Sequence, residues 1–181
     1  MDIEEILKQQ REMEEQLRKL LREDFKTYSN KEVMYEYIST STKYLEPSEI
    51  LIAMQDKPEN LMEEEDYEFY KSLPDTVTIY RGMSRDELEE CDDVMGISWS
   101  IEYSVAEFFA ARMPKKYNPI VVKAVVPKSR IKFATMRRNE FEVLVEWVDD
   151  FEIVQDEFDG FDFDRFREEM DKKAESLSLS L

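Results

Sequence analysis

Histidine is absent from this 181-residue chain, cysteine occurs once, at Cys91, and glycine only three times, at 82, 96 and 160. Without histidine the usual zinc sites and the Ser-His and Cys-His nucleophile systems cannot be built. A lone cysteine forms no internal disulfide. Three scattered glycines leave no room for a Rossmann fingerprint or a phosphate-binding P-loop, so a nucleotide, if bound, must be held another way. No apolar stretch approaches the roughly 20 residues of a membrane span. The N-terminus is a charged amphipathic run without a signal-peptide core, and the expectation is a cytoplasmic protein with no membrane partner.

What is abundant is charge. The formal net charge is −18, from 43 acidic and 25 basic residues, but it is unevenly spread. From Arg112 to Arg138 there are nine basic residues (Arg112, Lys115, Lys116, Lys123, Lys128, Arg130, Lys132, Arg137, Arg138) and no acid. Such a stretch suits a dinucleotide's phosphates, a nucleic acid or an acidic partner, or else the solvated edges and loops of a sheet. The length fits one domain with a helical extension.

Periodicity divides the chain. Residues 3–28 carry Ile6, Leu7, Met13, Leu17, Leu20 and Leu21 at helical spacing, a stripe that needs a partner in this domain, in a second copy or in a target. Further helices are predicted over 31–39, after Pro47 with Pro58 as its stop, and over 61–73 closed by Pro74. From Thr76 the pattern turns to strands, over 76–81, 120–126, 131–134, 141–148 and 151–155. One helix interrupts them, with Ser104-Val105-Ala106-Glu107 as its capping box and Pro114 as its stop. Helices first and strands after, with one helix inserted, indicate an α+β fold. The domains read as a helical N-terminal extension, 1–75, a β-rich core, 76–156, and an acidic C-terminal tail, 157–181, in which Phe158, Phe161, Phe163 and Phe166 suggest partial docking.

Three short motifs lie in the β-rich region: Tyr80-Arg81-Gly82, Ser98-Trp99-Ser100, and Glu140-Phe141-Glu142-Val143-Leu144. Read as a strand, the last aims Glu140 and Glu142 from one face and Phe141, Val143, Val145 and Trp147 from the other. A carboxylate fixed at a ribose can stabilise the positive charge that grows as a glycosidic bond breaks. Glu142 suits that role. Arg81, at a strand end before a permissive glycine, suits a pyrophosphate. Ser98 and Ser100 share one side of their strand, so one hydroxyl can orient the ribose or Glu142 while the other starts the following turn, and Trp99 points toward the core.

In order and spacing, Arg, then Ser-x-Ser before a capped helix, then Glu-x-Glu, the chain resembles the mono-ADP-ribosyltransferases of the Arg/Ser-x-Ser/Glu-x-Glu class over about Thr76 to Gln155. The resemblance implies a split, mostly antiparallel β-sandwich with helices packed against it, and NAD as a substrate bound between the sheets. It implies Glu142, Glu140 and Ser98 as catalytic residues and Arg81, Tyr80, Gly82, Ser98 and Ser100 as the NAD-binding set, with no metal. It further implies that Glu140 faces the acceptor, arginine rather than asparagine or cysteine, and that residues 135–139 form the acceptor-recognition turn. Trp99 and the pair Arg137-Arg138 depart from the family's usual residues at those places. Small transferases of this kind resemble phage-encoded or intracellular bacterial enzymes that modify host proteins, including some that disable nucleic-acid-guided defence. The expected partner is thus a protein acceptor, with no direct nucleic-acid binding. Two other readings stand beside it: an acidic, non-catalytic inhibitor mimicking nucleic acid, and an NAD glycohydrolase in which water replaces the acceptor.

Overall fold

The computed structural model describes residues 5, 27–39, 47–90, 96–158 and 160–179. Nearly all of the helix expected over 3–28, and Cys91, lie outside them. The chain divides into two compact units, Met1–Leu61 and Met62–Leu181.

The first unit holds three helices, α1 (Asn30–Ser39), α2 (Pro47–Ala53) and α3 (Pro58–Leu61). A reciprocal cap starts α1: the Glu32 amide donates to Ser29 Oγ at 3.3 Å and the Ser29 amide to Glu32 Oε2 at 2.7 Å, satisfying donors the helix leaves free. Pro58 opens α3 instead of closing α2, since a proline at a first helical position sacrifices an amide with no helical partner. Asp56 accepts from Asn60 at 2.8 Å and Asn30 at 3.2 Å, tying α3 to the start of α1. Met34, Ile38, Ile50, Ala53, Met54 and Leu61 are buried.

The second unit is an α+β domain. Helix α4 (Glu64–Ser72) leads into β1 (Thr76–Ser84), followed by α5 (Arg85–Glu90), β2 (Ser98–Ser100), α6 (Tyr103–Ala111), β3 (Pro119–Pro127), β4 (Ile131–Thr135), β5 (Glu142–Val145), β6 (Phe151–Gln155) and α7 (Phe163–Ser178). The helix expected over 61–73 is broken, with Glu63 as the extended residue before α4. Six strands form one antiparallel sheet in the order β4-β5-β2-β1-β3-β6. The long β1/β3 ladder runs from Thr76↔Pro127 to Ser84↔Pro119. By contrast, β1 and β2 meet at a single pair, Tyr80↔Ser100.

Helix α6 lies on this sheet because Gly82 has no side chain: a Cβ there would stand 2.1 Å from the Ala106 carbonyl oxygen and 2.7 Å from the Ala110 amide nitrogen. Close approach, not conformational freedom, is what this glycine provides. Ser104 does not cap α6. Glu102 occupies the cap position, in an extended conformation and without a side-chain bond, while Ser104 sits inside the helix with Oγ 3.6 Å from Met170 Sδ.

The expected acidic tail contains α7, a 16-residue helix. Asp162 caps it by accepting from the Arg165 amide at 3.0 Å, and Phe166 and Met170, four apart, face the domain. Phe166 stacks on Phe108 with centroids 4.6 Å apart, and Met170 is buried. Lys173 pairs with Glu102 at 2.5 Å.

The basic stretch does not form an open patch. Lys123 pairs with Glu152, Arg130 with Asp149, Lys132 with Glu146 and Arg137 with the buried Asp66, and Lys128 donates to the carbonyls of Lys71 and Leu73. Among the described residues no helix is long and apolar enough to cross a membrane.

Candidate functional site

Strand β2 carries the serines, and its geometry separates their tasks. Ser100, 6% exposed, donates to the Glu140 carbonyl at 2.7 Å and accepts from the Glu102 amide at 3.0 Å, which fixes the turn into α6. Ser98 donates to Glu142 Oε1 at 2.5 Å, within the range of hydroxyl bonds to a charged oxygen. Trp99, between them, is buried and donates through Nε1 to the Gly96 carbonyl at 2.8 Å.

Arg81 reaches the same place from β1. Beyond the Tyr80↔Ser100 pair the ladder stops, and the guanidinium takes over: Nη1 donates to the Ser98 carbonyl at 2.6 Å and Nη2 to Glu87 Oε1 at 2.7 Å. Its Nε is buried without a hydrogen-bond partner, an orphaned donor of the kind native interiors seldom leave. A Cβ at residue 96 would lie 2.5 Å from Arg81 Nη2, so Gly96 clears the space that the guanidinium fills. Tyr80 points away from Arg81, as alternation along β1 requires. It packs edge-on against Tyr103, 5.6 Å between centroids, and on Ala106, Ala110 and Val121. Arg81, Ser98 and Glu142 are thus brought together, Ser100 and Gly82 shape the backbone around them, and Tyr80 lies on the α6 side.

The Glu-x-Glu motif departs from the expected strand. Only Glu142 belongs to β5; Glu140 ends a 3₁₀ turn over Arg137–Asn139 with φ −90° and ψ −12°. Three neighbours have left-handed backbones, Arg138 (φ 58°), Asn139 (φ 57°) and Phe141 (φ 46°). Each costs about 1–3 kcal/mol in a residue other than glycine. What holds the turn is burial and pairing: Phe141 is 0% exposed and edge-on to Phe69, and its carbonyl accepts from the Ile101 amide at 3.1 Å. Asn139 donates to Asp171 on α7 at 2.6 Å. The strand is also shorter than expected. All four residues of β5 are buried, whereas Trp147 lies beyond it, 44% exposed, with the Arg130 guanidinium 5.0 Å from its ring.

The two carboxylates consequently differ. Glu142 is 8% exposed; burial pushes its carboxyl upward, the neighbouring Glu140 adds to the rise, and Ser98, Arg138 and Arg81 counter it. Glu140 is also raised by burial and held back by Arg138 and Arg112. Arg138 serves both, with Nη2 at 2.8 Å from Glu140 Oε2 and 3.7 Å from Glu142 Oε2.

Beside Glu140 lies a cavity of 240 Å³ bordered by Phe108 of α6 and Arg112 just after it, by Arg138 and by Phe166, Arg167 and Met170 of α7. It is smaller than the roughly 300–1,000 Å³ of pockets that enclose whole small molecules, and suits a side chain. Glu87, Arg138's bridging position and α7 were not assigned to the site from sequence. The Phe163, Phe166, Met170 spacing behind Asp162 was the available signal for α7; nothing local announces the other two. Among the described residues no cluster could hold a metal ion. Chemically, the constellation offers a serine-held buried carboxylate, a second carboxylate one turn away and a guanidinium with a spare donor. No family model, no curated protein and no solved structure matches the chain.

Proposed function

We propose that the protein is an NAD-dependent mono-ADP-ribosyltransferase that modifies a protein on arginine, on a fold of the ADP-ribosyltransferase type. The observation that carries this reading is the junction at Ser98: its hydroxyl holds Glu142 and its carbonyl holds Arg81, so three motifs far apart in sequence meet at one residue.

The residues suit the substrate. A pyrophosphate is anionic, and the part-exposed Arg81 guanidinium, held at Ser98, suits it. NAD supplies a glycosidic bond whose leaving group, nicotinamide, departs without needing a metal. Glu142, fixed by Ser98, stabilises positive charge developing on the ribose. Glu140 receives the guanidinium of the acceptor and takes its proton, both tasks open to a carboxylate and closed to an amide. The single-pair contact between β1 and β2 supports a cleft between two halves of the sheet. The dispersed, paired basic residues favour this reading over nucleic-acid contact. A role against a host's defence rests only on the resemblance to phage and bacterial enzymes.

The test is nicotinamide release from NAD, measured with and without an arginine-rich protein acceptor. Release that rises with the acceptor is expected. Release indifferent to every guanidine acceptor would favour the NAD glycohydrolase, and no release at all would return the protein to the class of acidic binding proteins.

A further inference from the structure

We infer that the outer edge of β6 docks an extended segment of a protein partner, one that alternates apolar and basic residues and joins the sheet as a further strand. This stands apart from the transferase reading. β6 ends the sheet order, so among the described residues no strand pairs with its outer side, and a row of backbone donors and acceptors is left for another chain. The opposite edge is closed. In β4, Ile131, Phe133, Ala134 and Thr135 are buried, and the Ala134 amide donates to Met62 Sδ at 3.3 Å. In β6 Phe151, Glu152, Ile153 and Val154 are all exposed. The strand also carries neither proline nor lysine, residues that commonly guard such an edge. Its bulge, at Val154, lies toward one end and leaves Phe151 to Ile153 in regular register.

The two faces of the strand set the chemistry of the occupant. Phe151 and Ile153 stand opposite Ala124 and Val122 of β3, which are buried, yet are themselves 43% and 40% exposed. The apolar layer thus runs out at the edge with side chains still in water. Glu152 takes the other face, where it pairs with Lys123 at 2.7 Å. From Asp149 to Glu157 there are five acids (Asp149, Asp150, Glu152, Asp156, Glu157), all exposed, and no base. Arg130, Lys123 and Arg85 answer Asp149, Glu152 and Asp156, which leaves Asp150 before the strand and Glu157 after it. An added strand would set apolar side chains beside Phe151 and Ile153 and basic ones beside the acids, the cross-strand pairs that stabilise a sheet. A second copy of this chain is the poorer occupant, because its own β6 would bring acid against acid at a net charge of −18 on each molecule. β1 and β3 separate this edge from β2, so it is distinct from the site at Ser98 and Glu142.

The experiment is amide hydrogen exchange, read residue by residue by NMR, on the full chain with and without a short capped peptide of alternating lysine and valine. At saturation the outward amides of β6 should exchange about tenfold or more slowly, with those of β4 unchanged. Two further peptides, one with glutamate in place of lysine and one with proline at the central valine, should each bind about tenfold or more weakly, the first through charge and the second through the lost ladder bond. Asp150→Lys combined with Glu152→Lys, both exposed positions, should reverse the preference toward the glutamate peptide while the circular dichroism spectrum stays native. Unchanged exchange in β6, or equal binding of the proline or the glutamate peptide, would overturn the inference, as would a double variant that keeps the lysine preference. Slow exchange in β6 without peptide, lost on dilution, would assign the edge to a second copy and overturn it as well.

Discussion

Ser98 and Glu142, 44 residues apart, form a hydroxyl-to-carboxylate bond at 2.5 Å in which the serine is itself fixed through its carbonyl by Arg81. The carboxylate is therefore positioned by a chain of contacts running from β1 through β2 to β5. Glu142→Gln keeps the shape and removes the charge. Turnover of NAD should fall roughly 10²-fold or more, as on losing one electrostatic stabiliser, with NAD affinity little changed. Equal losses in kcat and in binding, measured by nicotinamide release and calorimetry, would mark Glu142 as merely structural.

Burial of Glu142 also sets a pH dependence. A carboxyl whose folded pKa is raised contributes stability that is fully present below the ordinary carboxylate value and is lost as pH rises through the higher folded value. At neutral pH the charged side chain is therefore a cost to the fold. Glu142→Gln should raise Tm at pH 7, and the gain should shrink as pH falls toward 4. If ionised Glu142 is needed for turnover, the acid limb of the wild-type rate profile should lie above the ordinary carboxylate range of about 4.3. A Tm difference that is constant with pH would show that the carboxyl is not perturbed.

Arg81 is occupied by Glu87, a carboxylate 39% exposed on α5. An anionic ligand has to compete with it. Glu87→Gln should tighten NAD or ADP-ribose binding by roughly 2- to 5-fold, the scale of a partly exposed ion pair. Weakened binding would show instead that Glu87 orients the guanidinium for its ligand.

Gly82→Ala tests the seating of α6. With a Cβ 2.1 Å from the Ala106 carbonyl, helix and strand must separate, at a cost of about 1–3 kcal/mol. A large loss of stability in denaturant titration is expected, whereas an unchanged midpoint would mean that α6 slides freely.

The α+β class and the strand-rich region after Thr76 were legible because alternation and β-branched runs, such as Ile120 to Val126, carry their own signal. The strand over Phe151–Gln155 is predicted and observed with the same ends. What stayed hidden depends on tertiary packing. Phe141 breaks the alternation of Glu140 and Glu142 because its ring is buried against Phe69 and its backbone turns left-handed, and no single-residue preference foretells φ 46° at a phenylalanine. Ser104 reads as a cap by composition, yet the Ser100 hydroxyl fixes the helix entry two residues earlier. The α7 helix was masked by its acidity: a run of charges looks solvated until Phe166 and Met170 are seen to share one side.

The Tyr80↔Ser100 junction has a consequence for motion. With the nine-pair β1/β3 ladder on one side, three β2/β5 pairs on the other and one registered pair between, the junction is the narrowest part of the sheet, and the Arg81 guanidinium is its clasp. Amide hydrogen exchange should be fastest in β2 and slow in β3, since opening free energy follows the bonds that must break. A ligand that draws Arg81 away from Ser98 would then loosen the junction at the moment it binds, making substrate capture and breathing of the sheet a single event.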